Sequence, residues 1–168
     1  QGATVLAHDP SFQEPSARRK YESHYPGAHA LSAVEPEGLV ELALRRHGQL
    51  DALVNNDAFP ALRAPLAEAR MEDFRSALET MAVKPLRVTQ LVAPSMRQRK
   101  SGRIVFVSSA APLRGIANYA PYVAARAAAN GLVASLAKEL GRDGITVNAV
   151  GSNYVENPDY FPPQLLAN

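Results

Sequence analysis

Ser109, Tyr122 and Arg126 stand at a spacing that permits proton chemistry on a bound hydroxyl. The run GRIVFVSSA is apolar and β-branched up to Ser109, Tyr122 comes thirteen residues later, and Arg126 follows one helical turn on. A tyrosine and a cation at i, i+4 share a helix face. A serine at the end of a strand opposite that face completes an acid-base site built around a phenol. A phenol titrates near ~10 in water, so at neutral pH it is a weak base until something stabilises the phenolate. A permanent cation does so, and each unit of pKa is worth about 1.4 kcal/mol. Guanidinium is not deprotonated in proteins, so Arg126 serves only as a fixed charge and donor. Ser109, a neutral donor and acceptor, can hold a substrate oxygen while Tyr122 removes its proton. Each residue alone has a structural reading, as a turn serine or as surface neighbours on a helix. The combination points to chemistry.

The elements that must position these residues follow from hydrophobic periodicity. ATVLA (3–7), LDALVNN (50–56), RIVFVSS (103–109) and ITVNAV (145–150) are predicted strands. RIVFVSS is a continuous apolar run, as expected for a parallel strand covered on both faces. GLVELALRRHG (38–48) is a predicted amphipathic helix closed by Gly48. From Met71 to Arg99 the spacing of Phe74, Leu78, Met81, Val88, Leu91 and Val92 predicts helix, with Pro85 starting a second segment or kinking the first. Tyr119 to Leu140 is a predicted alanine-rich helix ending at Gly141. This β-α alternation implies a doubly wound parallel sheet whose ligand crevice lies beyond the carboxyl ends of the strands, where Ser109 and the residues after Val150 fall. No glycine-rich dinucleotide loop occurs in the sequence, and the chain opens at what reads as a second strand. The expectation is one Rossmann-like α/β domain over residues 1–168, lacking the first and the C-terminal strand. It would be an internal portion of a chain of roughly 230 to 260 residues.

Composition narrows the function classes. The 168 residues are 46% hydrophobic, enough for one domain with a sizeable core. With no cysteine, thiolate chemistry, disulfides and sulfur-ligated metals are excluded, in keeping with a reducing cytoplasm. His8, His24, His29 and His47 lie in polar stretches away from any carboxylate cluster, so no metal site is expected. The net charge of +2 comes from interleaved signs, which argues against a nucleic-acid surface. RQRK at 97–100 follows a helical stretch, where cations suit the end of the helix dipole. No run approaches the ~18 apolar residues of a membrane span.

The chain resembles the short-chain dehydrogenase/reductase superfamily and, within it, the halohydrin dehalogenases. VNNDAF resembles the superfamily's segment after the fourth strand, SGRIVFVSS its serine strand and GITVNAV its sixth strand. The dehalogenase likeness lies in the Ser109, Tyr122 and Arg126 spacing, in HDPSF (8–12), in NND (55–57) and in SNYVENPDYFP (152–162). The resemblance implies an enzyme that needs no nicotinamide. Serine orients the hydroxyl of a vicinal haloalcohol, tyrosine deprotonates it, and the alkoxide expels the neighbouring halide to close an epoxide. Small anions run the reaction backwards. In the oxidoreductases of this layout Lys stands where Arg126 stands, serving both the tyrosine and the nicotinamide ribose. The alternative reading is therefore a divergent NAD(P)-dependent oxidoreductase in which Arg takes over that role, and a third is a non-catalytic member of the fold.

Other departures bear on the cofactor. Met81 falls where the superfamily places an Asn of its proton relay. Ser152 and Asn153, then Tyr154, Tyr160 and Phe161, stand where a Pro-Gly normally admits the nicotinamide. These five residues are the expected halide and substrate pocket, since a large, polarisable anion suits aromatic edges and backbone donors. Ser152 stands where the dehalogenases commonly have Pro. Asp9, after the first predicted strand, is read as a turn residue or vestige of ribose binding, and Asp57 as a partner of local backbone. Ala124, Ala125, Ala127, Ala128 and Ala129 offer a smooth helix face for another subunit, and the resemblance implies a tetramer.

Overall fold

The computed structural model describes residues 2–32 and 35–153, so Tyr154, Tyr160 and Phe161 lie outside the described residues. Strand β1 (Val5–His8), helix α1 (Pro15–His24) and strand β2 (Ala28–Leu31) open the order. Helix α2 (Pro36–His47), strand β3 (Ala52–Asn55), helix α3 (Met71–Leu78) and helix α4 (Lys84–Arg99) follow. Strand β4 (Gly102–Ser109), helix α5 (Ala120–Gly141) and strand β5 (Ile145–Ser152) complete it. All ladders are parallel, as the β-α alternation requires. They form two pieces, β1-β2 and β3-β4-β5. Among the described residues no helix is long and apolar enough to cross a membrane.

Local chemistry sets the helix ends. Gly48 closes α2 in the left-handed region at φ 74°, its N–H donating to the Leu44 carbonyl at 2.7 Å. The predicted 71–99 stretch divides at a π turn, Glu79–Val83, where the Lys84 N–H reaches the Glu79 carbonyl five residues back. Pro85 then sits in the first turn of α4, where its missing N–H costs nothing.

The core lies between β3-β4-β5 and one layer of helices. Val40 of α2, Val92 and Met96 of α4, and Ala129 and Leu140 of α5 close over Ile104, Phe106, Ile145 and Val147. Among the described residues the helices cover one face of β4. Gly102, Ile104, Phe106 and Ser108 are buried under the helices, whereas Val105 and Val107 are only partly covered. On the same open side Val54 and Val150 are each 60% exposed. The continuous apolar run of β4 therefore coexists, among the described residues, with alternating burial. Within α5, Ala125 and Ala129 are also core residues of their own chain, leaving Ala124 and Ala127 exposed.

Candidate active site

β4 delivers Ser109 to the carboxyl end of the sheet, paired in register with Ser152 at the end of β5. The Ser109 hydroxyl oxygen accepts the Ala111 N–H at 3.1 Å. One lone pair is thereby used, and the hydroxyl proton stays available to a ligand oxygen. The Ala110 N–H donates to the Ser152 carbonyl at 2.9 Å, fastening the chain beyond β4 to the end of β5. Gly151 fits this close approach: a Cβ there would lie 3.2 Å from the Ser109 carbonyl oxygen.

α5 carries Tyr122 in its first turn and Arg126 in its second. Tyr122 and Phe59 pack against a small core of Ala77, Met81 and Ala125. Met81 is 1% exposed and belongs to this apolar seat. Arg126 is only 7% exposed. Its Nη1 donates to the Val107 carbonyl at 2.7 Å and to the Asp57 carbonyl at 3.3 Å. Its Cζ lies 5.5 Å from the centroid of the Tyr122 ring, a cation-π geometry. The charge thus stands beside the phenol, as the i, i+4 spacing requires, but against the ring face. Its Nε is buried with no partner among the described residues.

Asp57 contributes a main-chain acceptor to Arg126, a part that the sequence did not reveal. Desolvation pushes its carboxyl above the ordinary carboxylate range, opposed by its own backbone N–H and by the charges of His8, Lys84 and Arg126. Asp9 is held by its neighbour. Its carboxylate accepts both the N–H of Ser11, at 2.8 Å, and the Ser11 hydroxyl, at 2.5 Å, capping the turn Pro10–Gln13. The Ser11 hydroxyl, followed by its N–H, holds the Asp9 carboxyl below its usual range.

Of the expected halide pocket, the structure brings Ser152 and Asn153 to the crevice beside Ser109, and the other three residues fall outside the described segment. Asn153 Oδ1 accepts from the Arg114 guanidinium at 2.6 Å. No spacing in the sequence marked Arg114, which reaches Asn153 across 39 residues. Next to Tyr122 lies a shallow recess bounded by Phe59, Leu62, Ala77 and Pro121.

Asp9 Oδ1 takes two donors from Ser11, and Arg126 is tied to two backbone carbonyls. Chemically, the described residues offer a hydroxyl at the end of β4 and, on α5, a phenol with a guanidinium over its ring.

Comparison with known proteins places these features. The family model described as short chain dehydrogenase matches residues 25–161. A 3-oxoacyl-acyl-carrier-protein reductase of Thermotoga maritima is 31% identical over 164 residues, covering 94% of this chain and 66% of that protein. The chain spans 49% of two other curated relatives, about half their length. Among solved structures, one named a dehalogenation enzyme is 84% identical, with a TM-score of 0.93 over 100% of this chain and 69% of its own. A halohydrin dehalogenase bound to ethyl (2S)-oxiran-2-ylacetate is 34% identical, with a TM-score of 0.91 over 99% of this chain and 68% of its own.

Proposed function

The chain belongs to the short chain dehydrogenase family, and from that premise we propose that the protein is a halohydrin dehalogenase that works without a nicotinamide. The observation that carries this reading is Arg126. A guanidinium buried against the tyrosine ring and tied to the carbonyls of Val107 and Asp57 is a fixed charge for a phenolate. The likeness to a dehalogenation enzyme and to an epoxide-bound halohydrin dehalogenase supports it.

In the proposed reaction the Ser109 hydroxyl donates a hydrogen bond to the substrate oxygen and keeps its proton, while the Tyr122 oxygen takes the proton of the substrate hydroxyl. The alkoxide attacks the adjacent carbon. A C–O bond forms as the carbon–halogen bond breaks, and the halide leaves with the bonding pair. The segment after β5, from Ser152 and Asn153 through Tyr154, Tyr160 and Phe161, would receive the halide among backbone donors and aromatic edges. Small anions entering there would open epoxides in the reverse direction. We also propose a cytoplasmic homotetramer that packs through the outward alanines of α5.

The curated relatives give the alternative, an NAD(P)-dependent reductase, its one supporting observation. Halide and proton release from a vicinal bromoalcohol by the full-length protein, with no nucleotide added, separates the two readings. Stoichiometric release is expected. Saturable NADPH binding in the micromolar range with hydride transfer to a ketone, and no halide release, would overturn the proposal.

A further inference from the structure

We infer that Ser108 and Asn130 are a positioning pair that sets the distance between the serine strand and the tyrosine helix. This inference rests on the proposed roles of Ser109, Tyr122 and Arg126. The Ser108 hydroxyl donates to Asn130 Oδ1 at 2.7 Å. The four β4 residues that face the helices are Gly102, Ile104, Phe106 and Ser108, all buried. The first three meet apolar groups, as expected for a sheet-helix interface. The fourth, at the end nearest the site, is polar and meets a polar partner. Apolar packing is non-directional and tolerates small slides, whereas a hydrogen bond weakens steeply when its distance or angle changes. A buried hydroxyl left without a partner is costly, so the pair holds one arrangement.

Its place in the chain says what is being held. Tyr122, Arg126 and Asn130 fall at i, i+4 and i+8, along one face of α5. Two successive levels of that face are fastened to two successive residues of β4. Arg126 Nη1 reaches the Val107 carbonyl and Asn130 reaches the Ser108 hydroxyl. Ser109 directly follows Ser108 on β4, and Tyr122 lies one turn before Arg126 on α5, so each proposed reacting side chain is next to a fastened residue of its own element. Two fastened points define the relative placement of a strand and a helix better than one.

The test uses the full-length protein and two readouts. Ser108→Ala should lower kcat for dehalogenation at least tenfold with KM changed less than threefold, at a temperature well below its melting point. Ser108→Thr keeps the hydroxyl in a residue suited to strands and should recover activity to within about threefold of wild type. Ser108→Ala should also change the Tyr122 ring resonances in carbon NMR at fixed pH, as the strand and helix loosen. That readout needs no turnover, so it stays informative if the proposed dehalogenation fails. Asn130→Ala should copy Ser108→Ala, and the double variant should be no worse than either single one. If Asn130→Ala does not fold, Ser108→Ala and Ser108→Thr still decide the matter. A Ser108→Ala protein that melts earlier but keeps its kcat and its Tyr122 ring resonances would reduce the pair to ordinary packing and overturn the inference.

Discussion

Tyr122 and Arg126 act through different atoms of one phenol, and substitutions can separate them. Tyr122→Phe removes a single oxygen and leaves the ring in its seat of Ala77, Met81 and Ala125. Folding should be nearly unchanged, while dehalogenation falls about 100-fold or more, as general-base losses do. Steady-state halide release checks this, and a Phe variant keeping more than about a tenth of the rate would sink the assignment. Arg126→Lys is a different kind of change. A lysine brings one compact, hydrated charge on a flexible stem, without the planar fork that now reaches two carbonyls while lying over the ring. The rate of dehalogenation at neutral pH should drop severalfold. Steady-state halide release measures this, and an unchanged rate would leave Arg126 a structural role only.

At the level of elements, the junction between α5 and β5 is the most constrained. Gly144 precedes β5 with φ 72°, and a Cβ there would run into the Lys100 carbonyl. The left-handed backbone alone costs a non-glycine residue about 1–2 kcal/mol, and the contact with rigid backbone adds to it. Gly144→Ala should therefore destabilise by about 2 kcal/mol or more, read as a lower denaturation midpoint with an unchanged slope. A midpoint within experimental error of wild type would contradict this placement. The long elements were legible in the sequence because their signals are strong: a sustained apolar run for β4, alanine and a terminal glycine for α5, and a glycine stop for α2. α1 and β2 were not. α1 buries none of its residues and so shows no apolar stripe, and β2 reads AHAL, without the β-branched residue that marks β1 and β3. Pro85 starts a second segment, as its position led one to expect, while the π turn ahead of it left no mark in the apolar spacing.

For the whole molecule, the candidate site joins segments from Asp57 to Asn153, which is why spacing alone found some of its parts and missed others. Ser109, Tyr122 and Arg126 lie within eighteen residues and obey strand and helix periods. Arg114 and the carbonyl of Asp57 belong to connections that only the folded sheet brings in. The outward alanines of α5 carry a prediction at this scale. Ala127→Glu should break the proposed tetramer into smaller species by light scattering without unfolding the chain, because the residue is exposed in the protomer. An unchanged mass would mean that subunits meet elsewhere. Arg126 takes both of its acceptors from the main chain, one of them at Val107. Every amino acid supplies that oxygen. A saturation-mutagenesis map would accordingly score position 107 as permissive even though it holds the cation in place, and lineages could drift there without disturbing the charge. The location of the guanidinium is inherited through the alignment of α5 on β4, a trait that column-by-column sequence comparison does not see.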